Sequence, residues 1–362
     1  MKRKKTYIIF TAIFGLLLLL PNIIMFTSLE NHLKDNEKRK IKTFKIEGGA
    51  YKTLANFKSY YKNNFGLKKI LTREYIGFKN NVLQEDPIPN KVITGNQKDW
   101  YFLGDDYSNV FSSSIGTIHF TKTEKEKIIQ ELSKIKNWLD KENIPFYLVV
   151  APNKHTAYQE LLPISYGYGN KYDDVIQEIK ETTDINITVL KPTVLEKKKE
   201  YQLYHKTDSH WNDIGAYWGY DALSKTIQKD FPEFESVPFE HFRRDTLRSK
   251  HQEMTRMINL DIDEEIIKLY PDFNSGVTVK QNEEKISHFV NPKKKLKAYF
   301  CRDSFSNAWI KYFNESFGET IYVKTYRLDT TLVKKERPHM VVLEFAERRF
   351  DYFIKYKMPI LY

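Results

Sequence analysis

The feature that most constrains this chain is an uncharged run of 23 residues, Tyr7 to Leu29, which follows a basic KRKK segment at positions 2–5. At about 1.5 Å per residue, a helix of this length spans a hydrocarbon core of about 30 Å. Because basic residues flank the cytoplasmic end of such helices, we expect residues 1–6 to be a cytoplasmic tail and everything after Leu29 to be extracytoplasmic. A cleaved signal peptide is the alternative. Since no small-x-small cleavage site ends the run, we favour a transmembrane anchor over residues 7–29.

The net charge of +11 is concentrated near that run. Residues 1–80 contain 17 Lys and Arg against 5 Asp and Glu, so the remaining 282 residues sum to −1. A nucleic-acid-binding protein would carry its basic charge on the folded domain. We therefore expect no nucleic-acid partner and predict attraction to anionic lipid or anionic wall polymer. The single cysteine, Cys301, excludes an intrachain disulfide.

Composition and turn signals divide the rest of the chain. Residues 30–85 are basic and rich in helix-forming residues, which indicates a membrane-proximal helical stalk, and the DPIP segment at 86–89 predicts a boundary. Residues 86–362 alternate amphipathic helices with short apolar strands such as FYLVVA at 146–151. This alternation predicts an α/β domain with helices on both faces of the sheet. Ligand sites in such sheets lie beyond the carboxyl ends of the strands.

A polar segment before a predicted helix contains the first candidate site residues, Asp208 and His210, in YHKTDSHWND. An Asp and a His at this spacing suit a pair in which the carboxylate orients the ring and the ring takes a proton from a nucleophile. The structural alternative is an Asx turn at Asp208 and local packing of His210. A zinc site that includes His205 lacks a second ligand cluster, so we expect no metal.

The candidate nucleophile, Ser304, lies in KAYFCRDSFSNAW, between the end of a predicted strand and the start of a helix near Ser306. Free backbone N–H groups and the positive end of the helix dipole are available there to stabilise an oxyanion. The alternative is that Ser304 or Ser306 only caps the helix. The G-x-S-x-G elbow of α/β-hydrolases is absent.

Together, TDSHWN and RDSF resemble the SGNH-hydrolase-like domain of the alginate O-acetyltransferase AlgX/AlgJ family and its DHHW relatives. KVITGNQKDWYFLGDD, VVAPNKHTAYQELLP and ERPHMVVLEFAER are similar to further segments of that family, so the resemblance covers most of residues 50–350. It implies an SGNH-like, flavodoxin-like three-layer α/β/α fold. It also implies a Ser-His-Asp acyl-transfer site.

Carried over position by position, the resemblance makes Ser304 the nucleophile, His210 the base and Asp208 the orienting carboxylate. Asn153 and Lys154 fall on the loop that lines the site, and Arg302 and Trp211 adjoin the nucleophile and the base. These four residues form the predicted substrate-binding set. Arg302 stands where the family has the glycine of a GDS block, so the serine turn is expected to differ. The chain ends soon after the last strand, and we expect no carbohydrate-binding module.

The resemblance implies a membrane-anchored O-acetyltransferase that modifies a cell-surface or exported polysaccharide through an acyl-serine, without a cofactor. Because acetyl-CoA is not available outside the cell, the acyl donor would come from an MBOAT-type membrane protein. Two alternatives stay open: a carbohydrate acetylesterase with the same triad, and a non-catalytic polysaccharide-binding protein. The sequence does not separate transfer to a sugar from transfer to water.

Overall fold

The protein, described by a computed structural model over residues 2–25, 43–166, 169–250, 252–356 and 360–361, divides into two units. One consists of Met1–Ile88 with Thr255–Asp261, and the other of Pro89–Met254 with Ile262–Tyr362. The first boundary between them falls within the DPIP segment.

The first unit contains three long helices: α1 (Lys2–Met25), α2 (Gly49–Asn64) and α3 (Lys68–Phe78), with a π-helical turn at Lys79–Leu83 after α3. The Lys4–Met25 part of α1 is long and apolar enough to cross a membrane, and its most apolar 18 residues have a mean hydropathy of 2.5. A transmembrane anchor and a signal sequence share this property. Residues 26–29 of the predicted anchor and 30–42 of the predicted stalk lie outside the described residues.

The regular elements that follow belong to the second unit, except for the Thr255–Met257 part of α10. The strands are β1 (Val92–Thr94), β2 (Tyr101–Leu103), β3 (Phe146–Ala151), β4 (Asn186–Val189), β5 (Phe242–Lys250), β6 (Asp263–Pro271), β7 (Thr278–Asn282), β8 (Ile286–Val290), β9 (Lys297–Cys301), β10 (Glu319–Val323), β11 (Leu328–Asp329), β12 (Met340–Ala346) and β13 (Ile360–Leu361). The helices are α4 (Val110–Ser114), α5 (Lys122–Lys141), α6 (Lys154–Ala157), α7 (Lys171–Thr182), α8 (Lys191–Lys197), α9 (Asp213–Asp230), α10 (Glu253–Met257), α11 (Ile310–Ser316), α12 (Thr330–Glu336) and α13 (Phe350–Lys355).

A seven-stranded sheet with the order β4-β3-β12-β9-β10-β8-β7 forms the centre of the second unit. The first five strands in this order pair in parallel, and β8 and β7 continue the sheet antiparallel. The apolar run at 146–151, predicted to be a strand, forms β3. The runs that form β3 and β12 are buried throughout, because both faces of the parallel sheet are covered there.

Two apolar clusters pack on the two faces of the sheet. On β3, Tyr147 and Val149 belong to one cluster, while Leu148 and Val150 belong to the other. The first cluster includes the buried side of α9 and the second includes the buried sides of α5 and α7. Successive strand side chains point to opposite faces. The predicted three-layer α/β/α arrangement is therefore confirmed.

The segment between α9 and β9 contains two long strands, β5 and β6, that have no apolar pattern. β5 and β6 are nine residues each and form a separate two-stranded sheet along Phe242–Lys250 and Asp263–Pro271. Most of their side chains are exposed or half-buried, so the alternation that marks a strand in sequence is missing. The pairing is set by backbone hydrogen bonds across the hairpin.

Three parallel strands bring chemically active segments to one edge of the sheet. The register pairs Ala151 with Ala346 and Cys301 with Leu343, so β3, β12 and β9 end close together. The segments that follow them begin with Pro152, Glu347 and Arg302 respectively. The candidate site is built at this carboxyl edge.

Candidate active site

Residues 204–212 form a tight loop immediately before α9. The ends of the loop meet because Tyr204 and Trp211 pair in an isolated antiparallel bridge. The Asn212 side chain then caps α9 by accepting a hydrogen bond from the Gly215 N–H at 3.0 Å. The bridge and the cap together fix the loop that carries the predicted Asp-His pair.

Asp208, His210 and Ser304 form a continuous hydrogen-bonded chain. The His210 Nδ1 atom lies 2.6 Å from Asp208 Oδ1, and His210 Nε2 lies 2.7 Å from Ser304 Oγ, across 94 positions of sequence. With its proton on Nδ1, the ring donates to the carboxylate and accepts the serine hydroxyl. The Asp208 and His210 side chains are 15% and 25% exposed, so the chain is reachable from solvent.

Ser304 does not cap the helix that follows it. The short 3-10 helix Phe305–Ala308 has no side-chain cap from Ser304, and the Phe305 N–H donates to Asp303 Oδ1 at 2.7 Å instead. The Ser306 hydroxyl donates to Glu344 Oε2 at 2.5 Å. The helix start is therefore satisfied by neighbouring groups, and the Ser304 hydroxyl is directed to His210.

Arg302, the residue that replaces a glycine of the family pattern, is accommodated without backbone strain. It is not among the described residues with positive φ, so the turn does not need glycine at this position. Its guanidinium donates to the Asp303 carbonyl and to the Asn307 side chain, and the side chain is almost fully buried. Arg302 therefore stabilises the serine turn through hydrogen bonds made inside the protein.

Opposing charges polarise the Asp208–His210 pair. Burial of the His210 imidazole lowers its pKa, but the hydrogen bond and the charge of Asp208 outweigh burial, and the net pKa is raised above its ordinary value. Burial raises the pKa of Asp208, yet the hydrogen bond and the positive charge of His210 outweigh that effect and hold the pKa well below its usual range. The carboxylate is thus ionised and stabilises a protonated ring.

Two carboxylates that sequence reasoning missed support the Asp-His loop. The Glu253 N–H donates to Asp208 Oδ2 at 3.3 Å, and Glu253 Oε2 accepts the Ser209 hydroxyl at 2.5 Å and lies 3.8 Å from His210 Nδ1. Glu264 on β6 accepts the Thr207 hydroxyl and N–H. Both glutamates lie at least 44 positions along the chain from the groups they hold, and no local motif marks them.

Lys154 and Trp211 of the predicted substrate-binding set lie inside the protein. The Lys154 ammonium donates to the backbone carbonyls of Tyr101, Lys206 and Asp208 at 2.7, 2.6 and 3.3 Å. Burial lowers the pKa of Lys154 to about 7. The Trp211 indole N–H donates to the Phe305 carbonyl at 2.9 Å. These side chains bind the loop and the serine turn, rather than facing a ligand.

Asn153 and Arg348 lie at the same sheet edge. Asn153 is fully buried; its Oδ1 accepts a hydrogen bond from Arg348 at 3.1 Å, while its Nδ2 has no hydrogen-bond partner among the described residues. The Arg348 guanidinium lies 5.2 Å from the centre of the Phe305 ring, next to Ser304. Sequence reasoning missed Arg348, although it lies two residues after the apolar strand β12.

Two groups of side chains in the described residues have the spacing of metal ligands. One is Asp208, His210 and Glu253, and the other is His288, Glu319 and Glu336. In the first group the imidazole is already hydrogen-bonded at both nitrogens. In the second, the Lys297 ammonium lies 3.1 and 2.8 Å from the two carboxylates, where it acts as the counter-ion.

The chain belongs to the family of SGNH hydrolase-like domains of the acetyltransferase AlgX, whose model matches residues 93–322. This match covers well over half of the chain and confirms the resemblance found in the sequence. No curated protein matches the chain.

Solved structures share the fold. PatB1 from Bacillus cereus is 18% identical, with a TM-score of 0.55 over 72% of this chain and 97% of that chain. The structure of B. cereus PatB1 with a sulfonyl adduct is 17% identical, with a TM-score of 0.57 over 72% of this chain and 95% of that chain. A DHHW family protein from Eubacterium siraeum is 15% identical, with a TM-score of 0.53 over 72% of this chain and 95% of that chain.

Proposed function

We propose that this protein is a membrane-anchored O-acetyltransferase that moves an acetyl group, through an ester on Ser304, to hydroxyls of a cell-surface or exported polysaccharide. The observation that carries the proposal is the contact of 2.7 Å between Ser304 Oγ and His210 Nε2, together with the 2.6 Å contact between His210 Nδ1 and Asp208. Membership of an acetyltransferase family supports the same conclusion.

In the first half of the reaction, Ser304 Oγ attacks the carbonyl carbon of the acyl donor while its proton passes to His210 Nε2. The tetrahedral intermediate collapses, the bond to the donor's leaving group breaks, and His210 returns the proton to that group. Asp208 holds the ring in the required tautomer and stabilises its positive charge. The product of this step is an acetyl ester on Ser304.

In the second half, a sugar hydroxyl takes the position of the departed leaving group. His210 accepts the hydroxyl proton as the sugar oxygen attacks the acetyl carbon. The bond from that carbon to Ser304 Oγ breaks, and His210 gives its proton to the serine. Water in place of the sugar would give acetate, which is the esterase alternative.

Asn153 is our candidate for holding the substrate oxygen on which charge develops. Its buried Nδ2 group lacks a partner among the described residues, and a buried amide without a partner is costly unless a ligand satisfies it. Arg348 fixes the orientation of this amide through Oδ1 and brings a positive charge to the same edge. Donors arranged in this way stabilise the intermediate more than the ground state.

The acyl donor would be an MBOAT-type membrane protein, because the catalytic domain is expected outside the cell, where acetyl-CoA is absent. The helix α1 would serve as the single-pass anchor that keeps the domain next to that partner. No cofactor takes part in either half of this scheme. The concentration of positive charge near α1 supports a membrane environment over nucleic acid.

The experiment is to incubate the protein with a chromogenic acetyl ester, with and without sugar oligomers, and to analyse the products by mass spectrometry. Acetylated sugar is the expected result. Acetate alone, unaffected by sugar, would establish the esterase instead, and no turnover would favour a polysaccharide-binding protein. A sulfonyl fluoride, suggested by the sulfonyl adduct of PatB1, should label the peptide that contains Ser304 in the native chain but not in Ser304→Ala.

A further inference from the structure

The turn between α2 and α3 packs on the carboxyl end of α1. The Tyr61 hydroxyl donates to Asn22 Oδ1 at 2.7 Å. At Gly66 the backbones come so close that a β-carbon would lie 2.1 Å from the Pro21 carbonyl oxygen, so only glycine fits. If the Tyr7–Met25 part of α1 spans the membrane with its amino end inside, this turn lies at the outer membrane surface, since 19 helical residues cover about 28 Å.

α3 and the π-helical turn after it expose an apolar stripe. Leu71, Tyr75, Phe78 and Val82 recur at i, i+4, i+7 and i+11, and each is more than half exposed. Ile76, off this stripe, is buried. A stripe at this spacing is the side that an amphipathic helix normally buries. Exposed apolar patches of this kind mark surfaces that bind another protein or a membrane.

α2 also exposes apolar side chains. None of its residues is buried, and Tyr51, Leu54 and Phe57 are exposed at i, i+3 and i+6. Tyrosine, which is frequent here, is enriched where a bilayer meets water, since its ring is apolar and its hydroxyl polar. Both helices therefore present aromatic residues of the type found at membrane interfaces.

Charge identifies the partner of this surface. Residues 43–83 contain eight Lys and Arg against two Asp and Glu, and Lys52, Lys58 and Lys62 are exposed on α2. A second copy of the chain would bring the same positive charge to the interface, which disfavours self-association. An anionic lipid surface complements the charge and accepts the apolar side chains as well.

We propose that α2 and α3 lie on the outer surface of the membrane, with their apolar side chains between the headgroups and their basic side chains on anionic headgroups. The inference rests on the anchoring role of α1 given above. It extends that role, because α1 alone fixes only a point, whereas two surface helices fix the orientation of the chain where it leaves the bilayer.

The test uses the full chain inserted in nanodiscs, with one cysteine added to the single native cysteine, Cys301. Because Cys301 is buried, a cysteine introduced at an exposed position can be labelled selectively with an environment-sensitive fluorophore. Leu71→Cys and Tyr75→Cys report on the stripe, and Arg73→Cys, on the opposite side of α3, is the matched control. Nanodiscs contain either phosphatidylglycerol with phosphatidylcholine or phosphatidylcholine alone, with and without a quencher attached near the headgroup.

We expect the labels at 71 and 75 to be quenched about threefold or more relative to the label at 73, and more strongly with phosphatidylglycerol at low salt. Equal quenching at all three positions would overturn the inference. A shifted emission without lipid quenching would also overturn it, since the stripe would then pack on protein. A chain that fails to enter nanodiscs would instead contradict the anchor, and neither result depends on acetyl transfer.

Discussion

Ser304 and His210 act on one proton in the proposed reaction, and this makes their contributions inseparable. We expect Ser304→Ala and His210→Ala each to lower the rate of acetyl transfer by about 10³-fold or more, and the double variant to be no worse than either within about threefold. All should keep the native circular dichroism spectrum, because neither change alters core volume. Measured rates near the native value for Ser304→Ala would contradict the mechanism.

Glu253 influences the reaction through its charge near His210. Since the base must be neutral, kcat/KM should rise with pH through the pKa of His210, which lies above the ordinary value of about 6.5. The Glu253 carboxylate raises that pKa, so Glu253→Gln should move the midpoint of the pH–rate profile to lower pH.

Glu265→Gln, on the exposed side of β6, is the control for this profile and should leave its midpoint unchanged. An unshifted midpoint in Glu253→Gln would mean that Glu253 acts only by holding the loop.

Some of these site residues could be predicted from the sequence and others could not. Asp208, His210 and Ser304 stand in short motifs next to a helix start, so local patterns singled them out. Glu253 could not be found in this way, because its contact with Asp208 joins positions 45 apart. It lies on α10, between two strands that have no apolar pattern. Lys154 was found, but its burial beneath the loop was not visible from the residue type.

At the scale of elements, α9 requires a glycine at position 215, where the helix packs directly on the backbone of Leu203. A β-carbon at Gly215 would lie 2.2 Å from the Leu203 carbonyl oxygen, which is backbone and cannot move aside cheaply. We expect Gly215→Ala to lower the free energy of unfolding by about 2–3 kcal/mol, measured by denaturant titration. Gly219→Ala is the matched change on the same helix, where the nearest atoms are side-chain atoms of Trp309 and Leu190 at 3.1–3.2 Å.

For Gly219→Ala the steric cost is partly offset by the higher helix propensity of alanine, so a change within about 1 kcal/mol is expected. A Gly215→Ala protein as stable as the native one would disprove the tight crossing.

The parallel strands were predictable and the hairpin strands were not, for a physical reason. Among the amphipathic helices that the sequence indicates, α5 forms because Ile128, Leu132 and Ile135 repeat at helical spacing. A capping box between Thr121 and Glu124 adds a local start signal. β5 and β6 lack both kinds of signal, since most of their side chains are exposed or half-buried and their pairing comes from tertiary structure.

For the whole molecule, the anchor hypothesis predicts which side of the membrane carries the catalytic domain. Protease added to intact protoplasts should degrade residues beyond α1, because the KRKK segment favours a cytoplasmic amino end. An epitope placed before Lys2 should survive until the membrane is permeabilised and serves as the control. Full protection of the domain would refute the extracytoplasmic location and the proposed function with it.

The buried ammonium of Lys154 has a consequence for heat resistance. The nucleophile follows a central strand, whereas the base lies on a loop tied by Lys154 and Glu264 to elements outside the seven-stranded sheet. Loops held by elements outside a central sheet open locally at a lower free energy than the strands of the sheet. Acetyl transfer should therefore be lost on warming before the far-ultraviolet signal of the sheet changes, and Lys154→Met should widen the gap between these two temperatures.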